Sequence, residues 1–392
     1  METKYWFVLK PSVFVWKKGK ECLFYDSSTF IGESVNPEDP ETEKFIEQII
    51  DFDNLYCIQF TFAGTDKDCL NALVDRLVYL KMARLVIQNE ENRKPIQLPP
   101  LLNLQSQIQR LQSSNVTDRT VGEEVMNNLQ SICFDFSEST NAPTTGKLLP
   151  FLKSLELSNI EITIRGYSPL LETDCIFWKQ LQCMSHIRFI FDLDSSISEK
   201  IMGLNTYSFN SCKYDLIIRP ENDIHLIEKI IDNVPKGVKL NYNFQVFTKE
   251  DLEFAEKWVN RLQISDYKIT PCYNGNNLDF FADYVYIGKN DIMESCQTKQ
   301  NIFAHQALNT NDFGKLTVNS EGKVYANIHH KPLGSIDDDI RYLVYKEMLE
   351  GTSWRRVRSL EPCSDCVYQW LCPSPSNYEI EIGKPNLCNI KP

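Results

Sequence analysis

The sequence predicts an α/β protein in three parts, and three observations carry that prediction. Between about residues 120 and 290, short apolar runs alternate with helical patterns, as parallel strands joined by crossover helices do. Residues 1–95 open on closely spaced short strands and then turn helical, which predicts a small α+β unit. From 291 to 392 the chain is loop-rich and carries Cys363, Cys366, Cys372 and Cys388: a close pair, a near neighbour and an outlier. Residues 96–119, polar and marked by Pro99-Pro100, read as a linker between the first two parts.

In the first unit, Tyr5–Leu9 and Val13–Trp16 read as an opening strand pair. Gly19 in the Lys17-Lys18-Gly19-Lys20 turn then signals a hairpin into Cys22–Tyr25. Asp39-Pro40 predicts a helix start, with Asp as cap and Pro at the first helical position, and puts Phe45, Ile46, Ile49 and Ile50 on one face. A second helix from Thr65 or Asp66 spaces Leu70, Leu73, Val74, Leu77, Val78 and Leu80 helically.

In the central part, strands are expected at 131–136, 160–164, 187–193, 214–218, 238–246 and 284–287. Helices are expected at 224–231 and 252–262, the latter opened by a capping box of Thr248 and Asp251. Right-handed crossovers would join parallel neighbours. Periodicity leaves two arrangements open, a partial barrel and a doubly wound sheet. Active sites of such barrels lie at the strands' C-terminal ends, where Asp192, Asp194, Arg219, Glu221, Asn243 and Gln245 fall. Arg219-Pro220-Glu221 suits a peptide carboxylate or backbone, but the plainer role for such residues is capping the next helix or facing solvent.

Composition narrows the function classes. A chain of 392 residues with 42% apolar content supports two or three ordinary cores. A net charge of −12 argues against nucleic acid as a partner. Thirteen scattered cysteines, without a secretory signal or a long apolar run, predict a reducing cytoplasm and no membrane. His186, His225 and His305 are isolated, and the adjacent His329 and His330 point to opposite sides of an extended chain, so no shared metal is expected there. Asp337-Asp338-Asp339 reads as a solvated helix start. No phosphate-cradling loop, Gly-x-Ser-x-Gly or His-Glu-x-x-His motif is present.

The tail is therefore the chemical centre of the sequence. Four thiolates so spaced, on a segment broken by Pro362, Pro373, Pro375 and Pro385, read as a closed metal site that staples a region with no core of its own. An iron–sulfur cluster and a tetrahedral zinc both suit this ligand set.

Trp354, the run Pro362-Cys363-Ser364-Asp365-Cys366-Val367-Tyr368, then Leu371-Cys372 and Gly383-Lys384-Pro385-Asn386-Leu387-Cys388, resemble the SPASM auxiliary domain of peptide-modifying radical SAM enzymes. The resemblance implies one [4Fe–4S] cluster on Cys363, Cys366, Cys372 and Cys388. It places the ligands of a second cluster at Ser376 and at Asn327, the latter ending Gly322-Lys323-Val324-Tyr325-Ala326-Asn327, so that cluster should be missing. Cys296 would be a remnant of its ligand set. The catalytic C-x3-C-x2-C run is absent. Where the family's Gly-Gly-Glu-Pro binds S-adenosylmethionine, Gly166-Tyr167-Ser168-Pro169 puts Ser168 in place of the carboxylate. No S-adenosylmethionine is therefore expected.

The whole chain thus resembles the pseudo-radical-SAM proteins that accompany intact radical SAM enzymes and short Gly-Gly-leader precursor peptides. That resemblance implies a partial (β/α)6 barrel over 120–290 and a SPASM-like domain over 291–392. It also implies a winged-helix-like unit over 1–95, similar to the RiPP recognition element, in which a leader peptide adds as a strand. The expected role is a non-catalytic scaffold that binds a precursor peptide, a catalytically intact radical SAM enzyme, or both. An enzyme of SAM-independent chemistry and a zinc-stapled peptide-binding module are the alternatives.

Overall fold

The structure, a computed structural model, describes residues 3–62, 68–89, 93–100, 124–137, 145–154, 160–166, 178–179, 181–182, 186–207, 209–235 and 237–390. Most of the predicted linker, the expected helix start at Thr65 or Asp66, and Ser168 lie outside the described residues.

The first unit forms two three-stranded antiparallel sheets. β1 (Lys4–Leu9) lies between β5 (Cys57–Thr61) and β6 (Ala83–Ile87), while β2 (Val13–Lys18), β3 (Glu21–Asp26) and β4 (Ile31–Val35) make a meander. The expected pairing of β1 with β2 is not made. Phe7 and Leu9 are buried with Ile58, Phe60 and Ala83, on strands far along the chain, and local patterning carries no trace of such long-range partners. The β2–β3 hairpin turns at Gly19 (φ 54°), in the left-handed region where glycine pays no steric penalty.

β2 and β3 divide their side chains between two cores. Val13, Cys22 and Phe24 point into a core with α1 (Pro40–Ile50) and α2 (Asp68–Tyr79). Phe14, Leu23 and Tyr25 point the other way, onto Ile292, Ile302, Val367, Tyr368 and Leu371 of the C-terminal part. Helix α1 starts as expected, with the Asp39 carboxylate accepting from the N–H groups of Glu41 and Thr42. Phe45, Ile46 and Ile49 are buried, whereas Ile50 is turned outward.

The large sheet has nine strands in the order β12-β11-β10-β9-β8-β7-β13-β14-β15. Its strands are β7 (Ser131–Asp135), β8 (Glu161–Arg165), β9 (His186–Asp192), β10 (Cys212–Ile218), β11 (Leu240–Val246), β12 (Tyr267–Pro271), β13 (Lys315–Asn319), β14 (Lys323–Tyr325) and β15 (Gly334–Ser335). All neighbours from β12 to β13 are parallel, and β14 and β15 add antiparallel. Among the described residues the sheet is open, with β12 and β15 as its edges.

From β7 to β12 the order is consecutive, without the switch point that marks a doubly wound sheet, and Ile132, Phe134, Ile162 and Ile164 of the strands share one core with apolar residues of the connecting helices. Those described are α3 (Thr145–Ser154), α4 (Ile197–Asn205), α5 (His225–Asn233) and α6 (Lys249–Leu262). The Thr248–Asp251 capping box forms as expected. The expected strand at 284–287 does not. Tyr284 ends α7 (Leu278–Tyr284), Ile287 makes one isolated bridge to Cys388, and the sixth strand is instead β12.

The C-terminal part adds α8 (Lys289–Glu294), α9 (Lys299–Ala307), α10 (Ile340–Glu350) and α11 (Asn377–Ile382). Its root is fixed by Glu347, fully buried, whose Oε1 accepts from the N–H groups of Ser353 (2.8 Å) and Trp354 (2.7 Å). Among the described residues, no helix is long and apolar enough to cross a membrane.

Two predictions follow from these cores. Leu23→Ala and Phe24→Ala should each cost about 2–5 kcal/mol in denaturant unfolding. Only Leu23→Ala should also speed hydrogen exchange in 287–303 and 363–372. Equal effects of the two variants on those segments would argue against the division of β3 between two cores. Separately, burial pushes the Glu347 carboxyl above its ordinary value. The folded chain then holds that proton more tightly than the unfolded chain, so the group's stabilisation is present below the unfolded pKa and is lost as pH rises through the folded value. Glu347→Gln keeps an acceptor and should remove that part of the pH dependence, whereas Glu347→Ala should cost about 1–3 kcal/mol at every pH.

Candidate metal centre

The tail wraps its cysteines in tight turns. A single 3-10 turn spans Cys363–Asp365, Cys366 N–H donates to Cys363 O (3.2 Å), Gln369 N–H to Cys366 O (3.1 Å), and Cys372 N–H to Tyr368 O (3.0 Å). Between the cysteines, Val367, Tyr368 and Leu371 are buried in the core shared with β2 and β3. The tail thus has the apolar support its composition does not promise, and takes it from the first unit.

Cys388 arrives from the far side. Ile287 N–H donates to Leu387 O (3.1 Å) and Asn389 N–H to Ile287 O (3.0 Å), which pins the two segments together. The failed strand at 284–287 is therefore the clamp for the fourth cysteine.

All four expected ligands, Cys363, Cys366, Cys372 and Cys388, line one largely apolar cavity with Ile287, Pro362, Leu387 and Ile390, and Arg358, Gln369 and Asn386 complete its wall. Thiol donors around an apolar pocket fit a thiophilic metal group. Among the described residues, no three His, Cys, Asp or Glu side chains converge on a point suited to one metal ion. The thiols surround a space.

The electrostatics are set by burial and by one cation. Burial pushes the Cys372 thiol up to about 12 and raises Cys366 and Cys388. The Arg358 guanidinium opposes that rise at Cys372 and Cys388. Arg358 is itself buried, with Nη1 3.8 Å from Cys363 Sγ and 2.9 Å from Glu379 Oε1, and Nε donating to Pro373 O (2.6 Å). A metal binding here must displace protons from raised thiols, with its own charge and that of Arg358 compensating the thiolates.

Neither Arg358 nor its buried partner Glu379 was expected from the cysteine spacing. The available signal was the density of Arg355, Arg356 and Arg358 just before Cys363, since cations near a thiol run favour thiolate.

The positions matched to the second cluster lie together. Asn327 Nδ2 donates to Asn377 Oδ1 (2.6 Å), one residue beyond Ser376, and to Asp312 Oδ2 (3.0 Å). Ser376 caps α11 in a box with Glu379. Cys296 is exposed, and the carbonyl of the next residue, Gln297, accepts from Tyr25 Oη (2.9 Å).

At the C-terminal ends of the strands, Arg219 joins Asp192 (2.7 Å) and Gln245 (3.2 Å), and Arg165 joins Asp135 (3.3 Å). Asp194 instead accepts from Ser196 N–H at the start of α4, Asn243 accepts from Thr270 Oγ1 (2.6 Å), and Glu221 is exposed. The histidines separate, though at a turn and not on the extended chain expected, His330 N–H donating to Asn327 O (3.0 Å): His329 faces Glu381 (3.3 Å) and His330 faces Ser353 Oγ (2.7 Å).

The chain matches no protein-family model and no curated protein.

Cys366→Ser should abolish metal retention and speed hydrogen exchange across 350–392, while the parallel sheet keeps its far-ultraviolet circular dichroism. Metal content equal to that of the unaltered chain would remove Cys366 from the ligand set.

Proposed function

We propose that this chain is a non-catalytic partner in the maturation of a ribosomally made peptide. In this role it is a degenerate radical SAM protein with one auxiliary [4Fe–4S] cluster, binding precursor peptide, a catalytically intact radical SAM enzyme, or both. The carrying observation is that Cys363, Cys366, Cys372 and Cys388 all line one cavity, the last brought to it by a separate segment clamped at Ile287.

Three further features support this reading. The consecutive parallel order β7 to β12 is compatible with the winding of a partial barrel. Asn327 and Ser376, the positions that the resemblance matches to ligands of a second cluster, are linked through Asn377 by a hydrogen bond, which suits the expected absence of that cluster. In the first unit, β4 is the outer strand of its sheet, and its Glu33 pairs with Arg76 of α2 (3.2 Å). An open strand edge beside a helix suits capture of an extended leader, in which backbone bonds supply affinity and side-chain pockets supply selection.

When bound, a cluster with four thiolate ligands supplies one-electron transfer or a structural staple, with no open iron for substrate. Cys363, Cys366, Cys372 and Cys388 would hold it. Ile287 positions Cys388, and Val367, Tyr368 and Leu371 anchor the ligand loops to the first unit.

The test is anaerobic purification and reconstitution, with iron, sulfide and zinc analysis and a visible spectrum, then addition of S-adenosylmethionine and reductant. About four irons and four sulfides per chain, and no S-adenosylmethionine cleavage, are expected. One zinc without iron would reduce the tail to a staple with no redox capacity. S-adenosylmethionine cleavage would overturn the non-catalytic role.

A further inference from the structure

We infer that the buried Arg358–Glu379 pair sets the reduction potential of the group held by the four cysteines, with the two residues acting in opposite directions. The inference rests on the proposed [4Fe–4S] cluster at these thiols and goes beyond it by assigning roles to two residues that are not ligands.

Arg358 is 8% exposed and Glu379 5%, so water screens neither charge effectively. Arg358 touches one of the four cysteines, Nη1 to Cys363 Sγ at 3.8 Å, and its field reaches Cys372 and Cys388. Its side chain is held from two sides, by Nε on Pro373 O and by Nη1 on Glu379 Oε1 (2.9 Å). Glu379 is fixed in turn by its capping box with Ser376. The cation therefore cannot swing away from the sulfurs.

One-electron reduction adds one negative charge to a thiolate-bound cluster. A fixed cation beside Cys363 favours the more negative state and raises the potential, and a carboxylate one residue further out partly cancels that field. Surface ion pairs change potentials little because solvent screens them. This pair is sheltered and close enough to act.

The full chain, reconstituted with iron and sulfide, is titrated potentiometrically and followed by its visible and electron paramagnetic resonance spectra. Glu379→Gln keeps the size of the cap and removes the opposing charge, and should raise the midpoint. Arg358→Gln removes the cation and should lower it, and Arg358→Lys should stay nearest the unaltered chain. Shifts corresponding to at least tenfold in the reduction equilibrium, about 59 mV for one electron, are expected. If Arg358→Gln fails to hold the cluster, Glu379→Gln decides alone. A cluster that forms in Glu379→Gln with an unmoved or lowered midpoint overturns the inference and leaves the proposed function standing. Failure of the unaltered chain to take up iron overturns both.

Discussion

The burial of β3 on both faces is the constraint on which the two ends of this protein depend. A strand of a small antiparallel sheet usually covers one core and shows its other face to water. Here Cys22, Leu23, Phe24 and Tyr25 are all essentially excluded from solvent, alternating between the core of the first unit and the core of the tail. The cysteine loops lack apolar mass for a core of their own, and the meander supplies it. The position of Cys363, Cys366 and Cys372 is therefore a consequence of N-terminal folding as much as of local turns.

The same dependence gives the site its character. Burial raises the Cys366, Cys372 and Cys388 thiols, so on the proposed function the charge of four metal-bound thiolates would need an offset. Arg358 would supply it from within the tail, and since a lone buried guanidinium is costly, Glu379 balances it. Glu379 also closes the N-terminus of α11, the helix that lies between Cys372 and Cys388 in sequence. Charge compensation at the thiols and the fold of the segment leading to the last ligand are thus one structure.

What the sequence disclosed followed the range of the interactions. Asp39 and Thr248 were legible as caps because capping is settled within a single turn of chain. The four tail cysteines stood out by their spacing, and the fold brings all four to the wall of one cavity. β12 was not, because Tyr267 and Lys268 face solvent at the sheet edge and the strand shows no apolar alternation. The aromatic run at 284–287 imitated a strand, yet its residues end α7 and clamp Cys388. The pairing of β1 with β5 and β6, and the field of Arg358 at the sulfurs, depend on partners brought near only by the complete fold.

If the region around Asn327 once held a cluster, as the proposed function implies, its polar network shows how such a site would be given up without unfolding its surroundings. Removing thiolate ligands from a buried pocket leaves space and unsatisfied backbone groups, which cost free energy unless polar side chains fill them. Asn327 joins Asp312 and Asn377, Asn309 joins Pro375 O (2.9 Å), and Arg356 reaches Pro375 O (3.1 Å) and Ser376 O (3.2 Å). The carbonyls around Ser376 are thereby satisfied by side chains from several elements. On the proposed function, exchange of ligands for amides would preserve the junction between β14 and α11 while ending its redox role. On the same proposal, the cysteines at 363, 366 and 372 lie beside a core shared with β3 and near Arg358, a support that the polar contacts around Asn327 do not share.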